Sequence, residues 1–515
     1  MGHEADIRRG GFVVDMNIKR AKQEIKNSIE AYLKKDAYGE YMIPSIRQRP
    51  ILLMGPPGIG KTQIMEQIAK ECQIGLVAYT ITHHTRQSAI GLPFIKEKTY
   101  GGQTYSVTEY TMSEIIASVY DKIEQTGLKE GILFIDEINC VSETLAPTML
   151  QFLQCKTFGN QKIPEGWIIV AAGNPPEYNK SVREFDIVTL DRIKKIDVEE
   201  NYEVWKEYAY QVGIHPAIMS YLELKHENFY RIETTVDGKV FATARGWEDL
   251  SQLLKAYEVL GKKADREVVR QYIQHWKIAK DFAVYLELFE KYKKDYGLEQ
   301  ILAGNYSKDT LEKLQYASFD ERFSVVGMLL GKLSELFKEA FLADCYVTML
   351  YGHMRTYKET GNFREVCQNA AQEYAKLRKG EQLTKEQDRI YKKANEKLEE
   401  YQFLVAREHL MKEEAFAAVK AEFVKETDER EAKVDEAGNA LDHAFDFMED
   451  AFGDSQEMVA FVSELNTNYY SIQYLKENDC DKYYKYNKRL LFDEQQENIL
   501  SQLDEIEEEL NTALK

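Results

Sequence analysis

One stretch constrains this chain more than any other: Ile51-Leu52-Leu53-Met54-Gly55-Pro56-Pro57-Gly58-Ile59-Gly60-Lys61-Thr62. A short apolar strand runs into G-x-x-x-x-G-K-T, and Gln63 to Lys70 then alternate as a helix does. Strand before and helix after is the context a P-loop requires. Glycines let the backbone wrap a phosphate chain, so that amide N–H groups and the helix N-terminus face the anion. The pattern implies a nucleoside-triphosphate site, with Lys61 reaching the β- and γ-phosphates and the Thr62 hydroxyl on Mg²⁺.

A second apolar run, Gly131-Ile132-Leu133-Phe134-Ile135, ends in Asp136-Glu137. It reads as a buried parallel strand that delivers two carboxylates at its C-terminal end, where α/β sheets bind ligands. Asp136 suits Mg²⁺, and Glu137 suits activation of the attacking water. A third run, Trp167 to Gly173, ends at Asn174-Pro175-Pro176, placing a polar amide at another strand tip. Leu76 to Ile81 reads as a further buried strand, and Lys194 to Val198 as the strand after Leu190-Asp191-Arg192-Ile193.

Between these lie the connections. Ile18, Ala21, Ile25, Ile29 and Leu33 share one face of a helix in 16–35. Helices are also expected over Met112–Glu124 and Glu143–Gln154. Tyr100-Gly101-Gly102-Gln103 between alternating arms marks a hairpin over Ile95–Val107, and Phe158 to Lys162 a second one. His83 and His84 are adjacent, but neighbouring side chains on an extended chain point to opposite faces. No Cys or further His stands at metal spacing, so no metal site is assigned there. Residues 200–260 read as helical, with Thr243-Ala244-Arg245-Gly246 opening one helix.

Beyond Gly261 the chain becomes almost wholly helical, with no proline after Pro216. Tyr391, Ala394, Leu398, Tyr401 and Val405 keep 3–4 spacing, as do Val434, Ala437, Leu441, Ala444, Met448 and Ala451. A helix over about 384–432, roughly 70 Å long at 1.5 Å per residue, would pair with the next as an antiparallel, coiled-coil-like hairpin over about 384–452. The tail from Phe492 carries eight carboxylates before Lys515 and reads as a solvated or frayed helix.

At 515 residues, about two or three domains are expected. A net charge of -19 argues against nucleic acid as the main partner, which needs a basic surface. No apolar run is long enough for a membrane span, and the N-terminus lacks a signal peptide's apolar core. Six scattered cysteines without a C-x-x-C pair suit a reducing cytoplasm.

The succession Gly55–Thr62, Asp136-Glu137-Ile138-Asn139, Gly173-Asn174-Pro175-Pro176-Glu177 and Leu190-Asp191-Arg192 resembles an AAA+ ATPase. Within that class it resembles the MoxR-type ATPases, relatives of the magnesium chelatase motor subunit, over about residues 12–258. The resemblance implies an α/β nucleotide-binding domain with a parallel sheet over 46–199, preceded by a helix in 1–45. A helical lid over 200–260 and an α-helical region over 261–515 follow. It implies Asn174 as the sensor-1 residue, Arg192 as the arginine finger (with Arg183 as a rival) and Arg245 as sensor 2. ATP and Mg²⁺ are then the cofactors, bound by the P-loop residues Gly55 to Thr62 with Asp136 and Arg245, and Lys61, Glu137, Asn174 and Arg192 are catalytic. The Ile95–Val107 hairpin falls where the family inserts its substrate-facing helix-2 element, and Thr157–Pro164 where the presensor-1 hairpin belongs. Also implied are a ring, expected to be a hexamer, a protein client to be remodelled or chaperoned, and a von Willebrand A-domain partner. Two other readings stand beside it: an ATP-dependent scaffold or switch with low turnover, and a DNA-acting motor.

Overall fold

The computed structural model describes residues 16–83, 85–158, 161–178, 185–236, 238–407 and 412–490. His84, Arg183, the tip of the Phe158–Lys162 hairpin and the acidic tail therefore lie outside the described residues. The chain forms two compact units, Met1–Val204 with Glu373–Thr384, and Trp205–Gln372 with Lys385–Lys515.

In the first unit nine strands are described: β1 (Ile51–Met54), β2 (Gly75–Thr80), β3 (Pro93–Tyr100), β4 (Gln103–Tyr110), β5 (Gly131–Asp136), β6 (Thr157–Phe158), β7 (Gln161–Lys162), β8 (Trp167–Gly173) and β9 (Lys194–Asp197). Five of them make one parallel sheet in the order β2-β5-β8-β1-β9. Strict alternation sorts its side chains onto two faces. Ile51, Leu53, Phe134, Ile168 and Val170 pack with Ala21, Ile25 and Ile29 of helix Ile18–Leu33 and Ile64, Met65 and Ile68 of helix Lys61–Glu71. Leu52, Leu133, Ile135 and Ile169 pack on the other face with Ile115, Val119, Met149 and Phe152 from helices Glu114–Thr126 and Ala146–Cys155. Covering both faces is why β1 and β8 are apolar throughout and fully buried.

Two small hairpins stand apart from this sheet. β3 and β4 pair antiparallel in register from Pro93↔Tyr110 to Tyr100↔Gln103, and most of their residues are exposed. β6 pairs with β7 directly after Lys156, whose ammonium is buried and donates to the Ser45 carbonyl at 2.7 Å and Gln48 Oε1 at 3.4 Å. Burial, with Lys162 nearby, pushes the Lys156 pKa down from 10.5 to about 8. Between those values the unfolded chain binds the extra proton, so stability is expected to rise with pH through that window. Lys156→Met should abolish that rise, worth about 3 kcal/mol at 1.4 kcal/mol per unit, in denaturant melts at the two ends of the window.

Among its described residues the regular structure of the second unit is helical with one exception. Residues 231–242, expected to be helical, form the antiparallel pair β10 (Arg231–Thr235) and β11 (Gly238–Ala242). β-Branched Thr234, Thr235 and Val240 around Asp-Gly favour a hairpin over a helix. In the region expected to form a helical hairpin the helices are Lys385–Arg407 and Lys412–Phe452, and they pack on each other where Phe416, Val419 and Phe423 meet Leu398 and Tyr401. The later seam of the second helix serves a different core. Ala394, Leu398 and Tyr401 pack with Tyr346, Leu350 and Met354, whereas Ala437, Leu441, Ala444 and Met448 pack with Leu329, Leu333 and Phe337. Both sets of partners belong to one 42-residue helix, Phe319–Thr360. Among the described residues no helix is long and apolar enough to cross a membrane.

Candidate nucleotide site

Three adjacent strand ends build the site. The register Met54↔Gly173 sets the start of the P-loop beside Asn174, and β8 lies next to β5, which ends at Asp136. Gly58 and Gly60 hold φ +78° and +92°, the left-handed region glycine tolerates, and Gly60 is the N-cap of helix Lys61–Glu71.

Lys61 begins that helix and is only 9% exposed. Its ammonium donates to the carbonyls of Gly55 (2.8 Å) and Pro56 (2.7 Å) and to Asn174 Oδ1 (2.8 Å). The loop lysine and the strand-tip amide, 113 residues apart, thus meet directly. The Thr62 hydroxyl donates to Asp136 Oδ2 at 3.2 Å. Glu137 follows in a left-handed conformation, φ +57° and ψ +34°, with its N–H donating to Asp136 Oδ1 at 2.9 Å. A non-glycine residue held there stores roughly 1–3 kcal/mol of strain, a cost that clusters at functional sites.

Two further residues shape the site: Thr82, which does not stand out in the sequence, and Asn139, which closes the Asp136-Glu137-Ile138-Asn139 motif but was given no role of its own. The Thr82 hydroxyl donates to Glu137 Oε2 at 3.0 Å, and Asn139 Nδ2 donates to the Asn174 carbonyl at 2.8 Å. Thr82 became visible only through the register Thr80↔Asp136, which sets the residues after β2 beside those after β5. Asn139 is 2% exposed and fills the space over Gly173, where a Cβ would stand 2.6 Å from its Oδ1. Gly173→Ala is expected to displace Asn139 and with it Asn174. Such overpacking costs about 1–3 kcal/mol, and a misplacement of about 1 Å can lower turnover by ~100-fold. Melting temperature and ATP turnover measured together check this.

Arg192 lies outside this cluster. It is exposed after the short helix Ile187–Leu190 and donates to Gln154 Oε1 on helix Ala146–Cys155. Arg245 is exposed in the first turn of helix Ala244–Leu260, in the second unit, where Thr243 caps the helix by accepting from Gly246 N–H at 3.3 Å. The strand ends therefore unite Lys61, Thr62, Asp136, Glu137 and Asn174, while Arg192 of the same unit bonds Gln154 instead and Arg245 belongs to the second unit.

A lysine and helix N-terminus facing carboxylates across a parallel sheet edge define a P-loop nucleotide-binding fold. Residues 51–190 match the model of the AAA family, the ATPase family associated with various cellular activities. Among solved structures the chain is similar to a candidate ATPase from Cytophaga hutchinsonii, at 17% identity and a TM-score of 0.20. That alignment covers 36% of this chain and 52% of the other, so this chain spans about half the length of that neighbour. No curated protein matches the chain.

Proposed function

We propose that this chain is a MoxR-type AAA+ ATPase that couples ATP hydrolysis in an oligomeric ring to remodelling of a protein client. The observation that carries the reading is the joining of Lys61 to Asn174 and of Thr62 to Asp136 beside Glu137. The P-loop amides and Lys61 bind the β- and γ-phosphates and neutralise their charge. Thr62 and Asp136 present two hard oxygens within 3.2 Å of each other, a donor pair that fits Mg²⁺, which keeps phosphate and water as its other ligands. Bound there, Mg²⁺ supplies charge stabilisation at the phosphates. Glu137 takes a proton from the attacking water, and Thr82 holds one of its oxygens in place meanwhile. Asn174, its Oδ1 engaged by Lys61, keeps Nδ2 as the donor for the γ-phosphate or the water.

Arg192 is exposed, as an arginine serving a neighbouring copy must be, and the ring reading rests on that assignment. The exposed β3–β4 hairpin, with Ile95 77% and Tyr100 56% exposed, suits contact with a client. A von Willebrand A-domain partner is proposed on the resemblance of Asp136-Glu137-Ile138-Asn139 and Gly173-Asn174-Pro175-Pro176-Glu177 to the MoxR branch. The cytoplasm is proposed on the six cysteines, all of them free thiols. ATP turnover across a protein concentration series, with mass followed by light scattering, tests the reading. Turnover per chain should rise with assembly. A rate independent of assembly sinks the shared site, and wild type no faster than Glu137→Gln favours the scaffold.

A further inference from the structure

Among the described residues, four that are not glycine hold a left-handed backbone: Gln73, Glu137, Lys156 and Glu381. Glu137 belongs to the nucleotide site, and Lys156 precedes the β6–β7 hairpin. Gln73 and Glu381 end two helices whose last turns dock on each other. Both lie in the first unit, which takes in Glu373–Thr384 although the residues on either side of that segment belong to the second.

Helix Lys61–Glu71 ends in a Schellman turn. The Gln73 N–H donates to the Lys70 carbonyl at 3.2 Å and the Ile74 N–H to the Ala69 carbonyl at 2.9 Å, with Gln73 at φ +54°. Helix Phe363–Lys379 ends the same way. There the Glu381 N–H donates to the Arg378 carbonyl at 3.1 Å and the Gln382 N–H to the Leu377 carbonyl at 3.0 Å, with Glu381 at φ +56°. The two turns join across 309 residues: Gln382 Nε2 donates to the Gln73 carbonyl at 3.0 Å. Beside this bond the Glu381 carboxylate pairs with the Lys122 ammonium, from helix Glu114–Thr126, at 2.7 Å.

Nothing local favours Glu381 where it stands. The left-handed position after a helix prefers glycine, and the chain has one, Gly380, a residue too early. A helix C-terminus also carries partial negative charge, which disfavours a carboxylate. Both costs are offset in the docked turn, where Lys122, its side chain only 12% exposed, faces Glu381. A residue that breaks local rules while a distant partner compensates marks a working contact.

The docked turn stands just past one end of helix Lys61–Glu71, and the P-loop stands at the other, about 16 Å away. A helix of three turns moves as a rod, so holding either end restrains the other. We propose that residues 380–382 are a clasp linked to the nucleotide site. Nucleotide at the first turn of the helix favours the clasp at its last, and the clasp favours nucleotide to the same degree. The inference rests on the P-loop reading and adds a control point to it.

Hydrogen exchange of the full chain, followed by mass spectrometry, reads the clasp at residues 380–384, and titration with a fluorescent ATP analogue reads the site. In wild type, saturating nucleotide should slow that exchange by about five-fold or more, the usual size of such coupling. Lys122→Glu should speed the exchange and lower nucleotide affinity by a similar factor. Glu381→Lys, at a side chain 71% exposed, should do the same without disturbing a buried position. Combining the two restores the ion pair in reverse and should restore both readings. Nucleotide that binds without slowing the exchange, a loosened turn with unchanged affinity, or a double variant no better than the singles overturns the clasp. A wild type that binds no nucleotide overturns the P-loop reading, and the clasp with it.

Discussion

Glu137→Gln is expected to lower ATP turnover by about 10²–10⁴, the usual contribution of a positioned general base, while nucleotide still binds. The amide keeps the shape of the side chain and can still meet the Thr82 hydroxyl, which donates to Glu137 Oε2 at 3.0 Å. What it lacks is the basicity to take a proton from water. Lys61, Thr62 and Asp136 are untouched, so affinity for a fluorescent ATP analogue should stay within a few-fold of wild type. Single-turnover hydrolysis and a binding titration separate the two effects. A drop in binding as large as the drop in rate would show that Glu137 holds the loop rather than serving the water.

Arg192→Ala should have the larger effect if its guanidinium serves a neighbouring copy. A finger supplied in trans is worth roughly 10³–10⁵ in rate. Within one chain Arg192 is exposed and bonds Gln154, so its removal leaves no buried partner unpaired. Melting temperature should therefore barely move, and the mass of the assembly should persist. The decisive mixture combines Arg192→Ala with Glu137→Gln. Each is deficient alone, but a mixed ring contains sites with an intact Glu137 facing an intact Arg192, so activity should recover on mixing. No recovery would return Arg192 to an ordinary surface role.

The three strand ends that meet at the P-loop were legible because each announces itself locally. An apolar run that stops at Asp136, at Asn174 or at a P-loop needs no knowledge of its neighbours. Thr82 was not legible, because its meaning comes from the pairing of β2 with β5 and not from its own surroundings. Asn139 was legible as the end of its motif, but not its place over Gly173, which depends on β8. In the second unit, the 3–4 spacing marks the buried faces around Leu398 and Leu441, but not the long helix Phe319–Thr360 that both faces also meet. Periodicity reports which face is buried, never against what. The β10–β11 hairpin was missed for another reason: helical surroundings outweighed the β-branched Ile232, Thr234, Thr235 and Val240 of its strands.

The helix Phe319–Thr360 runs from the core around Leu329 to the core around Leu350, and Lys412–Phe452 runs the opposite way, from Val419 to Met448. No proline falls in the sequence of either. Two rods of about 60 Å, clamped to each other at both ends, behave as a composite beam. Flexing one requires sliding against the other, and packed side chains resist that shear. A tilt imposed at either end is therefore expected to reach the far end with little lost on the way.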